Sequence, residues 1–245
     1  MGDCRNGLRW ISFDCAREDL WTVNRLWYNH AYRQDVKAEI ARLAPWYQNI
    51  YLGAGIWTRP WNRETLGQWV HCERGVRKLN RFILPVLPVP LLGASILEVG
   101  TNAGGNLIWA IRRGAERTCG VELDKRYYLQ AQFVRGLIPE RRKYYVSMNN
   151  IETMQVSAPY GIPYTYAWLL NVIYHIPDGG RVNVVRKVAS VARYIIFQGN
   201  GLEDRGRGDG YNSLMGIVKS SGLIVDIVKQ EKHVRGLVIV AEGRA

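Results

Sequence analysis

The chain has 245 residues, of which 47% are hydrophobic and 22% charged, an ordinary globular composition with enough length for one large core or a core plus an extension. Its longest apolar stretch, Tyr164 to Pro177, contains Asn171 and His175 and is too short and too polar to span a bilayer. The net charge of +12 is spread out, with 13 basic against 8 acidic residues in 1–95 and 20 against 13 in 96–245, so it forms no basic tail and favours polyanionic partners such as nucleic acid.

The first ten residues, "MGDCRNGLRW", place an acid early and have no apolar run, which argues against a secretory signal. Met1-Gly2 opens like a myristoylation signal, but position 6 is Asn rather than Ser or Thr. The cysteines Cys4, Cys15, Cys72 and Cys119 are scattered, form no C-x-x-C pair and have no His at ligand spacing. They read as reduced thiols of a cytoplasmic protein without a metal site. From Arg17 to Leu43 the residues Leu20, Val23, Trp27, Ala31, Ile40 and Leu43 recur at mostly helical spacing, and Pro45 stops the pattern. The segment "PWYQNIYLGAGIWTRPWNRETLGQW" that follows is rich in aromatics, Gly and Arg and reads as strand and loop; residues 66–84 read as helix again. "PVLPVPLLGAS" is a proline-rich connector. It divides an N-terminal helical and aromatic cap, 1–90, from a second unit, 91–245.

After Ser95, short runs rich in Ile, Val and Leu alternate with polar helical stretches. Strands are expected at 95–100, 117–122, 143–148, 164–171 and 193–198, and helices at 104–114, 125–137, 179–191 and 211–221. Such alternation predicts a doubly wound, mostly parallel α/β sheet covered on both faces. "LIVDIVKQEKHVRGLVIVAE" holds two strands with only a polar turn between them. The hairpin brings the count to seven and makes the last strand antiparallel.

The most informative segment is "SILEVGTNAGGN", a strand entering a glycine turn and then a helix. A turn of this kind offers unpaired N–H donors and a partial positive charge. A P-loop requires Lys and Ser or Thr after its last Gly; here Asn106 and Leu107 follow Gly105. A dinucleotide site wants G-x-G-x-x-G, and Asn102 stands at the middle glycine. The third ligand class is S-adenosylmethionine, which carries no phosphate. Glu122 ends the next strand, 22 residues beyond Gly100, where a carboxylate can accept both ribose hydroxyls. Glu98 precedes the turn and can orient it, bind a water or face the ammonium end of such a ligand.

On these residues the chain resembles the class I, seven-stranded S-adenosylmethionine-dependent methyltransferases. "LEVGTNAGGN" is similar to their first motif, and Glu122 to their ribose acid. "SMNNIETM" falls at their Gly-Asp-x-Glu segment, with Asn150 in place of the usual Asp. "AWLLNVIYHIPD" is similar to their fourth-strand segment, whose usual leading Asp is here Thr165. The resemblance covers about 90–245. It implies a donor site made of Glu98, Gly100, Thr101, Asn102, Gly104, Glu122, Leu123, Asn150, Ile151 and Asn171. "PWYQNIYLGAGIWT", "RKLNRFILPVLP" and the pair Tyr174-His175 further resemble the transfer-RNA wobble-uridine methyltransferase family. Its best-known members use carboxy-S-adenosylmethionine, whose extra carboxylate needs cationic and aromatic contacts. Arg59 and Trp61 are candidates by position only, and plain S-adenosylmethionine is the default donor.

His175, at the lip of a strand, is the candidate general base, its alternative being a structural hydrogen bond to a neighbouring loop; Tyr174 shapes the pocket. Trp57, Arg59 and Trp61 are the candidate acceptor-binding residues of the cap, able to stack on a base. An "NPPY" signature for exocyclic amines and a cysteine pattern for attack on cytosine are both absent from the sequence. The segment "NGLEDRGRGDGYN" reads as a loop at the rim of the site. The leading expectation is methyl transfer to RNA, in particular transfer RNA. The alternatives are a small-molecule methyltransferase whose cap closes over a sugar, lipid-like or natural-product acceptor, and a non-catalytic binding protein of the same fold.

Overall fold

The computed structural model describes residues 30–53, 55–59, 79–157, 161–199, 210–230 and 236–243. The helical spacing near the N-terminus gives α1, His30–Arg42; residues 17–29 of the expected helix lie outside the described residues. The aromatic segment forms a small antiparallel hairpin, β1 (Tyr51–Gly53) and β2 (Ile56–Trp57). Of the helix expected over 66–84, the described part is a π-helical turn, Leu79–Ile83, running into a 3-10 turn, Leu84–Val86. Pro85 and Pro88 deny the backbone the N–H groups a longer helix needs.

Beyond the connector the expected alternation is realised: β3 (Ser95–Val99), α2 (Gly105–Arg112), β4 (Arg117–Glu122), α3 (Lys125–Leu137), β5 (Tyr144–Met148), β6 (Tyr164–Leu170), α4 (Asp178–Ala189), β7 (Ala192–Gly199), α5 (Tyr211–Ser220), β8 (Ile224–Gln230) and β9 (Leu237–Glu242). The strands assemble in the order β5-β4-β3-β6-β7-β9-β8. The pairs among β3 to β7 are parallel, and β9 runs antiparallel to both β7 and β8. This is the doubly wound, seven-stranded sheet with a reversed last strand that the sequence predicts.

The pleat sorts side chains onto two faces. Ile96, Tyr166, Trp168 and Ile196 join one core with α2, α3 and the N-terminal segment. Leu97, Val99, Ala167, Leu169 and Phe197 join the other with α4 and α5. The first core crosses the expected boundary at 90/91: Val36, Ile40, Trp46, Ile50 and Ile83 are buried in the same cluster as the sheet. Polar ties reinforce this packing. Gln130 of α3, itself fully buried, donates through Nε2 to the carbonyls of Leu43 (2.7 Å) and Pro45 (3.0 Å). Trp46 Nε1 donates to Ile40 O at 2.7 Å, and its ring meets Phe133 at 6.2 Å. The Tyr166 hydroxyl donates to the carbonyl of Val89 and accepts from its N–H at 3.0 Å; burial pushes that hydroxyl up to about 12, so it remains a donor. No helix among the described residues is long and apolar enough to cross a membrane.

Gln130→Leu leaves two carbonyls of the N-terminal segment without their donor. It should lower unfolding stability by about 1–3 kcal/mol in a single denaturant transition. A separate early transition for this segment would show that it folds independently of the sheet.

Candidate active site

In the sheet order, β3, β4 and β5 are laid down in one direction and β6 and β7 in the other. The reversal opens a crevice beyond the C-terminal ends of β3 and β6, where doubly wound sheets bind their ligands. The glycine turn, 100–104, lies there. Gly100 (φ 68°) and Gly104 (φ 81°) are both left-handed, and neither site tolerates a side chain. A Cβ on Gly100 would stand 2.5 Å from Val172 Cγ2, and one on Gly104 would overlie the Tyr144 hydroxyl. Asn102 between them is also left-handed, at φ 57°, with its Oδ1 accepting from Ala103 N at 2.8 Å. The turn is thus pressed onto the segment after β6 on one side and onto β5 on the other.

Two carboxylates fix its shape. Glu98 is buried; it accepts from Thr101 Oγ1 at 2.9 Å and from Asn106 Nδ2 at 2.6 Å, closing the turn onto the first turn of α2. Thr101 is likewise fully buried, its methyl seated where Gly120 has no Cβ. Both residues therefore support the turn from within rather than line the crevice. Below them the Tyr144 hydroxyl donates to Ala103 O at 3.3 Å; burial, with Glu98 adding to it, holds that hydroxyl far above the usual tyrosine range. The second carboxylate, Glu122, accepts from Asn102 N (2.7 Å) and from Asp124 N (2.9 Å), so it joins the glycine turn to the end of β4. Each of its oxygens retains acceptor capacity.

Beside Glu122, Leu123 is 66% exposed, and Met148, the cross-strand partner of Glu122, is 47% exposed. Together they make an apolar lip. Asn150 turns its Oδ1 onto Glu152 N at 2.8 Å, and Ile151 is buried behind it. This loop is held by Lys187 of α4, whose Nζ donates to the carbonyls of Ile151 (2.9 Å), Glu152 (2.7 Å) and Met154 (2.9 Å). Asn171, immediately past β6, is left-handed at φ 58°. Its Nδ2 donates to Gln198 Oε1 at 2.8 Å, whereas its Oδ1 is buried without a partner among the described residues. Tyr174 and His175 close a 3-10 turn, Ile173–His175, with ring centroids 4.5 Å apart. His175 is exposed, and the Tyr174 carbonyl accepts from Arg181 Nη2 at 3.3 Å.

The N-terminal segment reaches this site through Gln48. Its Oε1 accepts from Gly105 N at 2.7 Å and its Nε2 donates to Thr101 O at 3.4 Å, spanning the glycine turn. Arg59 lies close by, with its N–H on Asn49 Oδ1 at 3.1 Å. Trp57 instead packs on Tyr51 at 4.9 Å, and the Tyr51 carbonyl accepts from Arg112 at the far end of α2. The hairpin therefore sets Arg59 at its site-proximal end and Trp57 further along. Trp61 and residues 200–209 of the expected rim loop lie outside the described residues. The sequence reading does not identify Gln48, Lys187 or Gln198: each acts across 27 to 57 positions, and none belongs to a local pattern. Among the described residues no cluster of His, Cys, Asp or Glu is placed to hold a metal.

No protein-family model matches the chain, and no curated protein matches it in sequence. Solved structures do match. The N-terminal domain of EvdMO1, crystallised in the presence of S-adenosylhomocysteine and D-fucose, has a TM-score of 0.59 at 15% identity over 86% of this chain and 97% of that one. For the longer EvdMO1 the TM-score is 0.58 at 17% identity, and the chain spans only 48% of that protein's length. Magnesium protoporphyrin IX methyltransferase (ChlM) from Synechocystis PCC 6803, with bound S-adenosylmethionine, gives 0.55 at 15% identity over 93% and 99%. The chain has the Rossmann-like fold of the class I S-adenosylmethionine-dependent methyltransferases.

Two glycine-to-alanine substitutions should differ in sign. Gly104→Ala adds a side chain against Tyr144 at positive φ and should cost about 2 kcal/mol or more. Gly136→Ala, in an exposed turn of α3 with open space around it, should stabilise by up to about 1 kcal/mol. Denaturant titration of both variants checks this; equal effects would contradict the packing of the turn.

Proposed function

We propose that the chain transfers a methyl group from S-adenosylmethionine to a small-molecule acceptor. The observation that carries the donor reading is the use made of the N–H groups at the glycine turn. Asn102 N is taken by Glu122 and Gly105 N by Gln48, and the nearest ionisable groups are carboxylates. A phosphate would meet negative charge and few unspent donors there. A ligand with hydroxyls and a cationic end meets acceptors instead. In this reading Glu122 accepts from the ribose hydroxyls. Leu123 and Met148 lie against the adenine, with Asn150 and Ile151 at its edge, and Asn171 Oδ1 accepts from the α-ammonium. Glu98 and Thr101 keep Gly100, Asn102 and Gly104 in the shape that admits the ligand.

When bound, the sulfonium supplies an electrophilic methyl group. The protein's part is to hold the acceptor in line with it, an orientation effect worth roughly 7–11 kcal/mol at best. His175, exposed at the crevice lip, takes the proton from an acceptor hydroxyl, and Tyr174 backs its ring. Arg59 lies at the rim on the acceptor side. The small-molecule reading is preferred to RNA because D-fucose and magnesium protoporphyrin IX are named with the structural neighbours. The transfer-RNA resemblance gains no support from those likenesses. The net charge of +12 is the observation that favours RNA.

Incubation with methyl-tritiated S-adenosylmethionine and a metabolite extract, total RNA or DNA separates these readings. Label is expected in the small-molecule fraction; label in RNA would overturn the acceptor class, and no transfer to any fraction would count against an enzyme. With the acceptor in hand, His175→Ala should lower kcat by about 10²–10⁴ with KM for the donor unchanged. An unchanged kcat would leave His175 a structural residue.

A further inference from the structure

We infer that Gln198 is a positioning residue that fixes the polarity of Asn171, so that the pair selects a ligand carrying a cationic N–H donor, the α-ammonium of the methyl donor. The inference rests on the reading of the crevice as an S-adenosylmethionine site and extends it to a residue of β7. Gln198 is fully buried, one strand away from the glycine turn, and in register with Leu170 at the end of β6. A glutamine there ends an apolar run, Tyr194 to Phe197. Burying its amide is unfavourable unless its groups are met by partners. Asn171 is tied to this one residue twice: its N–H donates to Gln198 O at 3.1 Å and its Nδ2 to Gln198 Oε1 at 2.8 Å. These bonds hold Asn171 in a left-handed conformation that few residues other than glycine adopt.

A primary amide has a donor end and an acceptor end. Because Gln198 Oε1 engages Nδ2, the end of Asn171 left over is Oδ1, an acceptor, and it is buried without a partner among the described residues. Its neighbour Val172 closes on Gly100, and β6 lies beside β3, so Asn171 sits at the end of β6 next to the glycine turn. A buried acceptor in that position is met by a ligand that donates. Were Asn171 free to rotate its amide, a donor and an acceptor would be equally available and a cation would gain less. Gln198 thus acts through Asn171 and need not touch the ligand.

The test compares dissociation constants for S-adenosylhomocysteine and for 5′-methylthioadenosine, which shares the adenine and ribose but has no amino-acid end. Gln198→Leu should weaken S-adenosylhomocysteine about tenfold, the scale of one hydrogen bond to a charged group, and leave 5′-methylthioadenosine unchanged. Gln198→Glu keeps an acceptor oxygen facing Asn171 and should stay within about threefold of the wild type. Asn171→Gly fits the left-handed backbone and removes the amide. It should reproduce the selective loss, and Gln198→Leu should add nothing in that background. Equal weakening of both ligands by Gln198→Leu, or an unchanged affinity for S-adenosylhomocysteine, would overturn the inference while leaving the donor site standing. A wild-type protein that binds neither ligand would overturn both.

Discussion

The left-handed turn from Gly100 to Gly104 fits only because two glycines lack side chains where Val172 and Tyr144 press against them. That close approach sets the spacing of β3 from the segment after β6, and so the width of the crevice. It also explains the buried acid beneath it. Glu98 is removed from water, which is costly for a charge unless hydrogen bonds replace the solvent. Thr101 and Asn106 supply them, and the same bonds fasten the turn to the start of α2. The N-terminal segment completes the arrangement through Gln48, which spans the turn from the other side. The N-terminal segment is therefore continuous with the glycine turn and its crevice, both in its core and in its polar contacts.

The polarity of the site follows from how donors and acceptors are shared out. A helix entry normally leaves N–H groups for an anion. Here a carboxylate from β4 and an amide from the N-terminal segment take two of the N–H groups around the turn. What remains without a protein partner is mostly acceptor: the spare capacity of Glu122 and, among the described residues, the buried Oδ1 of Asn171. This is the reverse of the polarity a phosphate loop presents at a helix entry, and it suits a ligand with hydroxyls and a positive end.

Much of this was legible in the chain itself. From Ser95 onward, the apolar runs and the helical stretches between them were short and cleanly punctuated, so each strand of the main sheet lies within a residue or so of its expected position. The glycine turn and Glu122 could be read because their spacing is fixed by a single strand-turn-helix-strand unit. The N-terminal region was harder to read. Trp46 is core, packed on Phe133, whereas Trp57, expected to face an acceptor, pairs with Tyr51 and stays 41% exposed. Tertiary contacts from α2 and α3 decide their roles, and no local period records those. Thr101 and Glu98 were expected to line a donor site; both are buried beneath the glycine turn, Thr101 seated where Gly120 on the neighbouring strand lacks a Cβ. Gln198 was invisible for a related reason: its meaning depends on Asn171, 27 positions away.

The central claim is that this crevice holds S-adenosylmethionine through Glu122. Calorimetric titration of S-adenosylhomocysteine into the wild-type protein and into Glu122→Ala tests it most directly. One saturable site, weakened at least about tenfold by the substitution, is the predicted result. No binding to the wild-type protein, or equal affinities in the two proteins, would contradict it.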